Sequence, residues 1–363
     1  MGTDLVPALD PAPIPGPPGL LHLLWVVTFF LHLLCVNAAL GGVLVWALGN
    51  ATLRPEARRR TALYFANVVS WAVSLAITFA IAPLLFLQTL FGRFFYSATV
   101  LIAPVWLGLL GLLILAYYLT WVAKFRLKAE RGSALPVALS AILFLAAAGI
   151  QVAAYLIQVQ PALWPAFAAR PVLVLSDPTF LPRFLHFVLA AVSMAAILPA
   201  AWPRPLGPAA AEAARAGLFT ALVATGAQFP VGLWLLGVLP KGVLTGLMTG
   251  GAATLLPLSV GLLLGVALLG LLVRALSRPG EPAAARVALA HLLAAAAFMV
   301  VTRHQIRDLY LAAARANERL TVATQGNVLA LFLVVFVLCA GLTVWAVVRA
   351  VRDREPSAPP AAR

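Results

Sequence analysis

The sequence predicts an all-α, polytopic membrane protein of about nine transmembrane helices, with the N-terminus outside and the C-terminus in the cytoplasm. Three observations predict it. Hydrophobic residues make up 63% of the 363 positions and charged residues only 10%, far from the composition of a soluble domain. The apolar runs are long and rich in Ala and Leu, unlike the short alternating segments of a membrane barrel. The basic residues fall between those runs and are unevenly shared by the two sides, which is how loop charge sets orientation. For the same reason the net charge of +14 reads as a topology signal and not as a nucleic-acid footprint.

Taken in order, residues 1–19 are Pro-rich, carry Asp4 and Asp10 and no positive charge, and are expected to form a disordered outer tail. A single transmembrane domain is expected over residues 20–350, followed by a disordered cytoplasmic tail over 351–363. Apolar length places nine spans at residues 20–48, 61–90, 97–122, 134–159, 181–201, 216–239, 243–273, 286–302 and 325–348. The eighth is Ala-rich and has the weakest membrane signal. With the N-terminus outside, the inner segments hold 17 of the 25 Lys and Arg residues, including Arg58, Arg59, Arg60, Lys124, Lys128 and Arg131. The outer segments hold the other eight, among them Arg93, Arg183, Arg303, Arg307 and Arg315. The asymmetry favours N-out, C-in. Cys35 and Cys339 both fall within spans and no CxxC or CxxCH occurs, which argues against a disulfide framework, a zinc site or a covalently attached c-type haem. The first residues lack the basic region and cleavage site of a removable signal peptide.

The first span carries the sharpest chemical signal. Over residues 21–48 it contains no Asp, Glu, Lys or Arg, yet it holds His22 and His32, which on a helix stand about 15 Å apart along the axis. Imidazoles in hydrocarbon are costly unless a metal, a haem iron or a hydrogen-bonding partner uses them. The fifth span opens LPRFLHFVL, with Arg183 and His186 near its outer end, and the seventh opens GLMTGG around Met248. In the expected topology His32, His186 and Met248 share one outer layer, and imidazole and thioether are haem axial ligands. Each also has a packing or hydrogen-bonding reading, which stays open here. The eighth span ends VVTRHQIRDLYL, placing Arg303, His304, Arg307 and Asp308 in one and a half turns. Guanidinium donors at that depth suit haem propionates or an anionic or quinone head group; a solvated collar is the other reading. A polar turn is expected at QTLFGRFFY, around Gln88, Arg93 and Tyr96. All eleven acidic residues lie outside the spans or at their ends, so a carboxylate proton relay has no evident members.

These motifs together resemble subunit I of the cytochrome bd quinol oxidases. FLHLLCVNAALGGVLVWA is similar to that family's first helix, with His32 in the place of its haem-ligating histidine. RFLHFVLAA resembles the fifth helix, whose histidine holds the low-spin haem b, and His186 takes its place; GLMTGG puts Met248 where the family has the opposing methionine. VVTRHQIRDLY is similar to the Arg-Gln segment that ends the eighth helix. The departures are also clear. Residues 238–244 form a tight connection where the family has a long quinol-binding loop, the third span lacks the family's glutamates, and Arg303 stands about where a further haem-ligating glutamate is found.

What the resemblance implies is a membrane electron-transfer subunit binding one or two haems b, with His32, His186 and Met248 on iron and Arg183, Arg303, His304 and Arg307 on cofactor. It would pass electrons between the quinone pool and an outer-side partner such as a c-type cytochrome. The expected setting is a membrane redox complex with other subunits, embedded in the lipid of a bacterial cytoplasmic membrane. A divergent terminal quinol oxidase, and a haem-free transporter or assembly protein hinged at Pro83, Pro104, Pro230 and Pro257, are the alternatives.

Overall fold

A computed structural model describes residues 6–10, 12–49, 53–316 and 318–352. Most of the expected cytoplasmic tail, residues 353–363, lies outside the described residues, as do residues 1–5 and 11 of the expected outer tail. The elements are all helical among the described residues. The long helices are Pro18–Leu48 (α1), Pro55–Leu101 (α2), Ala103–Lys128 (α3) and Ala134–Val159 (α4). The short Trp164–Ala169 (α5) precedes Phe180–Ala201 (α6) and Ala210–Gly237 (α7). Lys241–Thr249 (α8), Ala252–Ser277 (α9), Pro282–Arg315 (α10) and Gly326–Arg352 (α11) complete the chain. Nine of the helices among the described residues are long and apolar enough to cross a membrane, and the chain is a multi-pass membrane protein.

Chain contacts divide it into two units. Of the described residues, the larger holds those from 6 to 9 and from 22 to 318, and the smaller those from 10 to 21 and from 319 to 352. In the smaller unit the end of the Pro-rich segment is ordered. Ile14 is buried and forms a parallel bridge with Val322, flanked by hydrogen bonds from Ile14 N to Thr321 O and from Ala323 N to Ile14 O. Pro18, whose fixed φ suits a first helical turn, then starts α1.

In the larger unit α6 lies along α7, α9 along α10 and α3 along α4, with α10 also against α6. The core is rich in alanine, filled out by larger apolar side chains. Leu40, Val43 and Trp46 of α1 meet Phe65 and Val69 of α2, Ala195 and Ile197 of α6, and Leu218 and Ala221 of α7. With no hydrophobic drive between helices in lipid, close approach of small residues supplies the contact. Gly41 marks the tightest crossing: a Cβ there would sit 1.9 Å from the carbonyl oxygen of Ala191 and 2.9 Å from the Ala195 Cβ. Large apolar side chains such as Leu107, Leu110 and Ile114 of α3 and Leu263 and Val266 of α9 are exposed on the outside, as lipid contact requires.

Three elements differ from the sequence reading. The expected polar turn at residues 88–96 is a kink in α2, with helix on both sides of Phe91 (φ −137°, ψ 26°), and a second break at Ile102 leads into α3. Phe91, Phe94 and Phe95 are buried, so packing of the aromatic run holds it in helix beyond the kink. The seventh span is split, because Gly250 and Gly251 separate α8 from α9 and Gly251 has φ 89°, a conformation that glycine adopts freely. The Ala-rich eighth span becomes the 34-residue α10, which carries its polar segment fully within the helix.

Candidate functional site: a buried arginine cluster and its histidines

The helix period puts His22, Trp25, Phe29 and His32 on one stripe of α1, three to four residues apart. The structure turns that stripe toward α10. The Trp25 ring lies 4.1 Å from His304 and the Phe29 ring 5.5 Å from it, both edge-on. The Arg303 guanidinium is 4.6 Å above Phe29, and that of Arg307 is 4.9 Å above Trp25 and 5.5 Å above Phe91. Phe91 is the residue at the break in α2, and the break aims its ring into this group, 5.1 Å from Trp25 and 5.7 Å from His22.

A tyrosine that sequence reasoning passed over organises the rest. Tyr155, near the end of α4 and only 5% exposed, has three guanidiniums around its ring: Arg183 at 4.8 Å, Arg303 at 4.6 Å and Arg307 at 5.1 Å. Among the described residues none of the three has a carboxylate partner within ion-pair distance. By contrast Arg93 and Arg315, at the same end of the bundle, share Glu318, and Arg315 also approaches Asp308 at 3.9 Å. Buried N–H groups of the trio are left without acceptors: Nε and Nη2 of Arg183, Nη1 of Arg303, and Nε and Nη1 of Arg307. Cation–π contact recovers part of the cost of burying a guanidinium, but buried charge normally carries a partner.

The histidines lie beside and below this cluster. His304, 5% exposed, donates Nδ1–H to the Val300 carbonyl at 2.8 Å, and its Nε2 is buried without a partner. His32 donates Nδ1–H to the Ala76 carbonyl of α2 at 2.9 Å; in the neutral ring this leaves the lone pair on Nε2, the arrangement that a metal-ligating histidine needs. The His186 ring packs against Gly232 of α7, 3.5 Å from where a Cβ would stand, and its Nδ1 is buried and unpartnered. Gly41 fixes the relative level of two of them. Helices α1 and α6 are odd-numbered crossings and run the same way. From the Gly41 contact with Ala191 and Ala195, His32 lies about 13 Å back along α1 and His186 about 8–14 Å back along α6. They share a level, with Arg183 one turn nearer the end.

The interior is loosely filled at this level. Residues 29–36 of α1, 183–190 of α6 and 293–299 of α10 are each only partly buried around whole turns. Farther along the same helices, α6 is buried from Ala191 to Ala201 at all but Val192. The bundle is therefore tight at one end and loose around the histidines.

Of the residues singled out by sequence, the structure brings Arg183, Arg303, His304 and Arg307 together and sets His32 and His186 at a common level. It does not enclose Met248, which lies on α8 with 40% of its surface exposed. His291 bonds back to the Val287 carbonyl one turn away and stays outside the cluster. No cluster of His, Cys, Asp and Glu able to hold a bare metal ion occurs among the described residues. The chain matches no family model, and no curated protein is significantly similar to it.

Proposed function

We propose that this chain is a haem-b-binding electron-transfer subunit of a membrane redox complex. In this reading it passes electrons between the quinone pool and an outer-side partner, a c-type cytochrome, in a bacterial cytoplasmic membrane. The observation that carries the reading is the trio Arg183, Arg303 and Arg307. Three guanidiniums carrying buried, unpaired N–H groups and no carboxylate partner among the described residues call for acceptor groups from outside the chain. They stand over two histidines and a loosely filled interior.

The residues fit a haem. Propionates would satisfy Arg183 and Arg303 by charge-assisted, bidentate hydrogen bonds, and Tyr155 holds the guanidiniums in place for them. His186 offers an unpartnered buried nitrogen, and His32 a ring whose tautomer is set by the Ala76 carbonyl; these are the expected iron ligands, for one haem or two. Met248 is the weakest member of the expected set, because its exposed position on α8 provides little enclosure. A b-type haem supplies reversible one-electron exchange. The chain's own part is to bind it, orient it and exclude water. The cationic end of the bundle would also favour an acidic docking surface on a soluble cytochrome.

The test is a reduced-minus-oxidised absorbance spectrum of the purified full-length chain from haem-replete cells. A low-spin b-type α band is expected, and it should be lost in His186→Ala. A wild-type protein that carries no haem would overturn the reading.

A further inference from the structure

We propose that His304 and Arg307 bind the head group of a hydroquinone (quinol), packed against Trp25 and Phe91, at the end of α10. The inference rests on the quinone-linked reading above and locates the site where that substrate enters. Its basis is a pairing of orphan groups one helical turn apart. His304 Nε2 is a buried acceptor without a donor, since its Nδ1–H is committed to Val300. Arg307 Nε and Nη1 are buried donors without an acceptor. Both side chains are at least nine-tenths buried and both lie on the same indole, His304 at 4.1 Å and Arg307 at 4.9 Å from Trp25.

A ligand that resolves both deficits must donate one hydrogen bond and accept another within a few ångströms, and must be flat enough to lie among Trp25, Phe29 and Phe91. A hydroquinone hydroxyl does both, donating its O–H to His304 and accepting from Arg307. An iron on His304 Nε2 answers the observations less well. It would leave the Arg307 donors unpaired and add positive charge beside two guanidiniums. A carboxylate would satisfy Arg307 but not a nitrogen lone pair. The oxidised quinone carries acceptors alone, so the site should prefer the reduced form. At the rim stand His22, whose ring is 5.7 Å from Phe91, and Asp308, whose side chain is 49% exposed. The sequence reading left His22 without a role, and here it flanks the site.

The experiment is equilibrium dialysis of a radiolabelled short-tailed 1,4-hydroquinone against the purified full-length protein in detergent under argon, with haem content measured on the same samples. Saturable binding is expected in the wild type, about tenfold or more tighter for the hydroquinone than for its quinone, as loss of one buried donor–acceptor pair implies. His304→Leu and Arg307→Gln should each weaken hydroquinone binding by about 10- to 100-fold, with unchanged haem content and unchanged elution on size exclusion. Absence of saturable binding in the wild type would overturn the proposal. So would unchanged affinity in Arg307→Gln, which removes the guanidinium but keeps a polar side chain and serves if His304→Leu fails to fold. Loss of haem in His304→Leu with hydroquinone binding intact would make His304 an iron ligand and also overturn it. A wild type that binds hydroquinone but holds no haem refutes the haem reading and leaves this site standing.

Discussion

Replacing Arg303 by Leu should affect the haem-loaded and the haem-free protein differently, and the difference can be sized from the structure. The Arg303 and Arg307 guanidinium carbons lie 4.6 and 5.1 Å from the centre of the Tyr155 ring, and that of Arg183 lies 4.8 Å from it. No two of them are therefore more than about 10 Å apart, and at an effective dielectric of about 20 each pair repels by at least roughly 1.7 kcal/mol. Removing Arg303 relieves two such pairs, some 3 kcal/mol. It also forfeits the contacts with the Phe29 and Tyr155 rings, each worth about 1–2 kcal/mol when desolvated. In the haem-free chain these terms nearly cancel, so Arg303→Leu should be close to neutral. In the loaded chain the same substitution strips a buried charge-assisted pair, a loss of about 3–5 kcal/mol. The assay is denaturant or thermal unfolding of wild type and variant, each prepared from haem-depleted and haem-replete cells and followed by far-UV circular dichroism. The expected result is a stability gap between wild type and variant that appears only in the loaded samples. A variant that is equally destabilised with and without haem would show the trio to be a structural device of the bundle, and the anion argument would fail.

Other outcomes follow from the same geometry. His22→Ala should leave most of the haem in place while His186→Ala removes the low-spin signal, because only His186 packs inside the bundle against Gly232; equal retention in both, read by pyridine haemochrome, contradicts the ligand assignment. Gly41→Val should abolish stable insertion, since even a Cβ would overlap the Ala191 carbonyl at 1.9 Å; wild-type expression levels and melting temperature would show that α1 does not cross α6 there. Single cysteines placed over residues 54–60 and 124–133 should resist membrane-impermeant thiol reagents in intact cells, and ready labelling would reverse the orientation. Purified protein given quinol should reduce a c-type acceptor in a salt-sensitive manner, as exposed charges are screened over about 8 Å at physiological ionic strength. Fast oxygen uptake without any acceptor would favour the oxidase alternative.

The spans were legible because they depend on one property, apolar length, that every residue of a run reports. Their ends were less so. QTLFGRFFY marks the break at Phe91 but not that helix resumes beyond it; burial of Phe94 and Phe95 decides that, and burial depends on distant helices. The break between α8 and α9 was written in the sequence as Gly250-Gly251, but an apolar run of sufficient length masks a local interruption. The tail was read as irregular through residue 19, yet Ile14 finds a partner in Val322, more than 300 residues away, where no local pattern could point.

The site divides in the same way. Arg303, His304 and Arg307 announce themselves as charge and imidazole inside an apolar segment, where each must be explained. Tyr155 does not, because an aromatic near the end of a span is ordinary in a membrane protein. Its role comes from Arg183 arriving on α6 and Arg303 and Arg307 arriving on α10, and no single segment contains that coincidence. A fuller clue was present on α1: His22, Trp25, Phe29 and His32 recur at helical spacing. A stripe of that composition needs a polar face opposite it, and α10 supplies an arginine pair at one-turn spacing, Arg303 and Arg307. What sequence cannot supply is the pairing of charges. At this end of the bundle Arg93 and Arg315 find Glu318, while Arg183, Arg303 and Arg307 find no carboxylate among the described residues. That distinction, invisible in composition, separates a salt-bridged rim from the unpaired guanidiniums on which the proposed function rests.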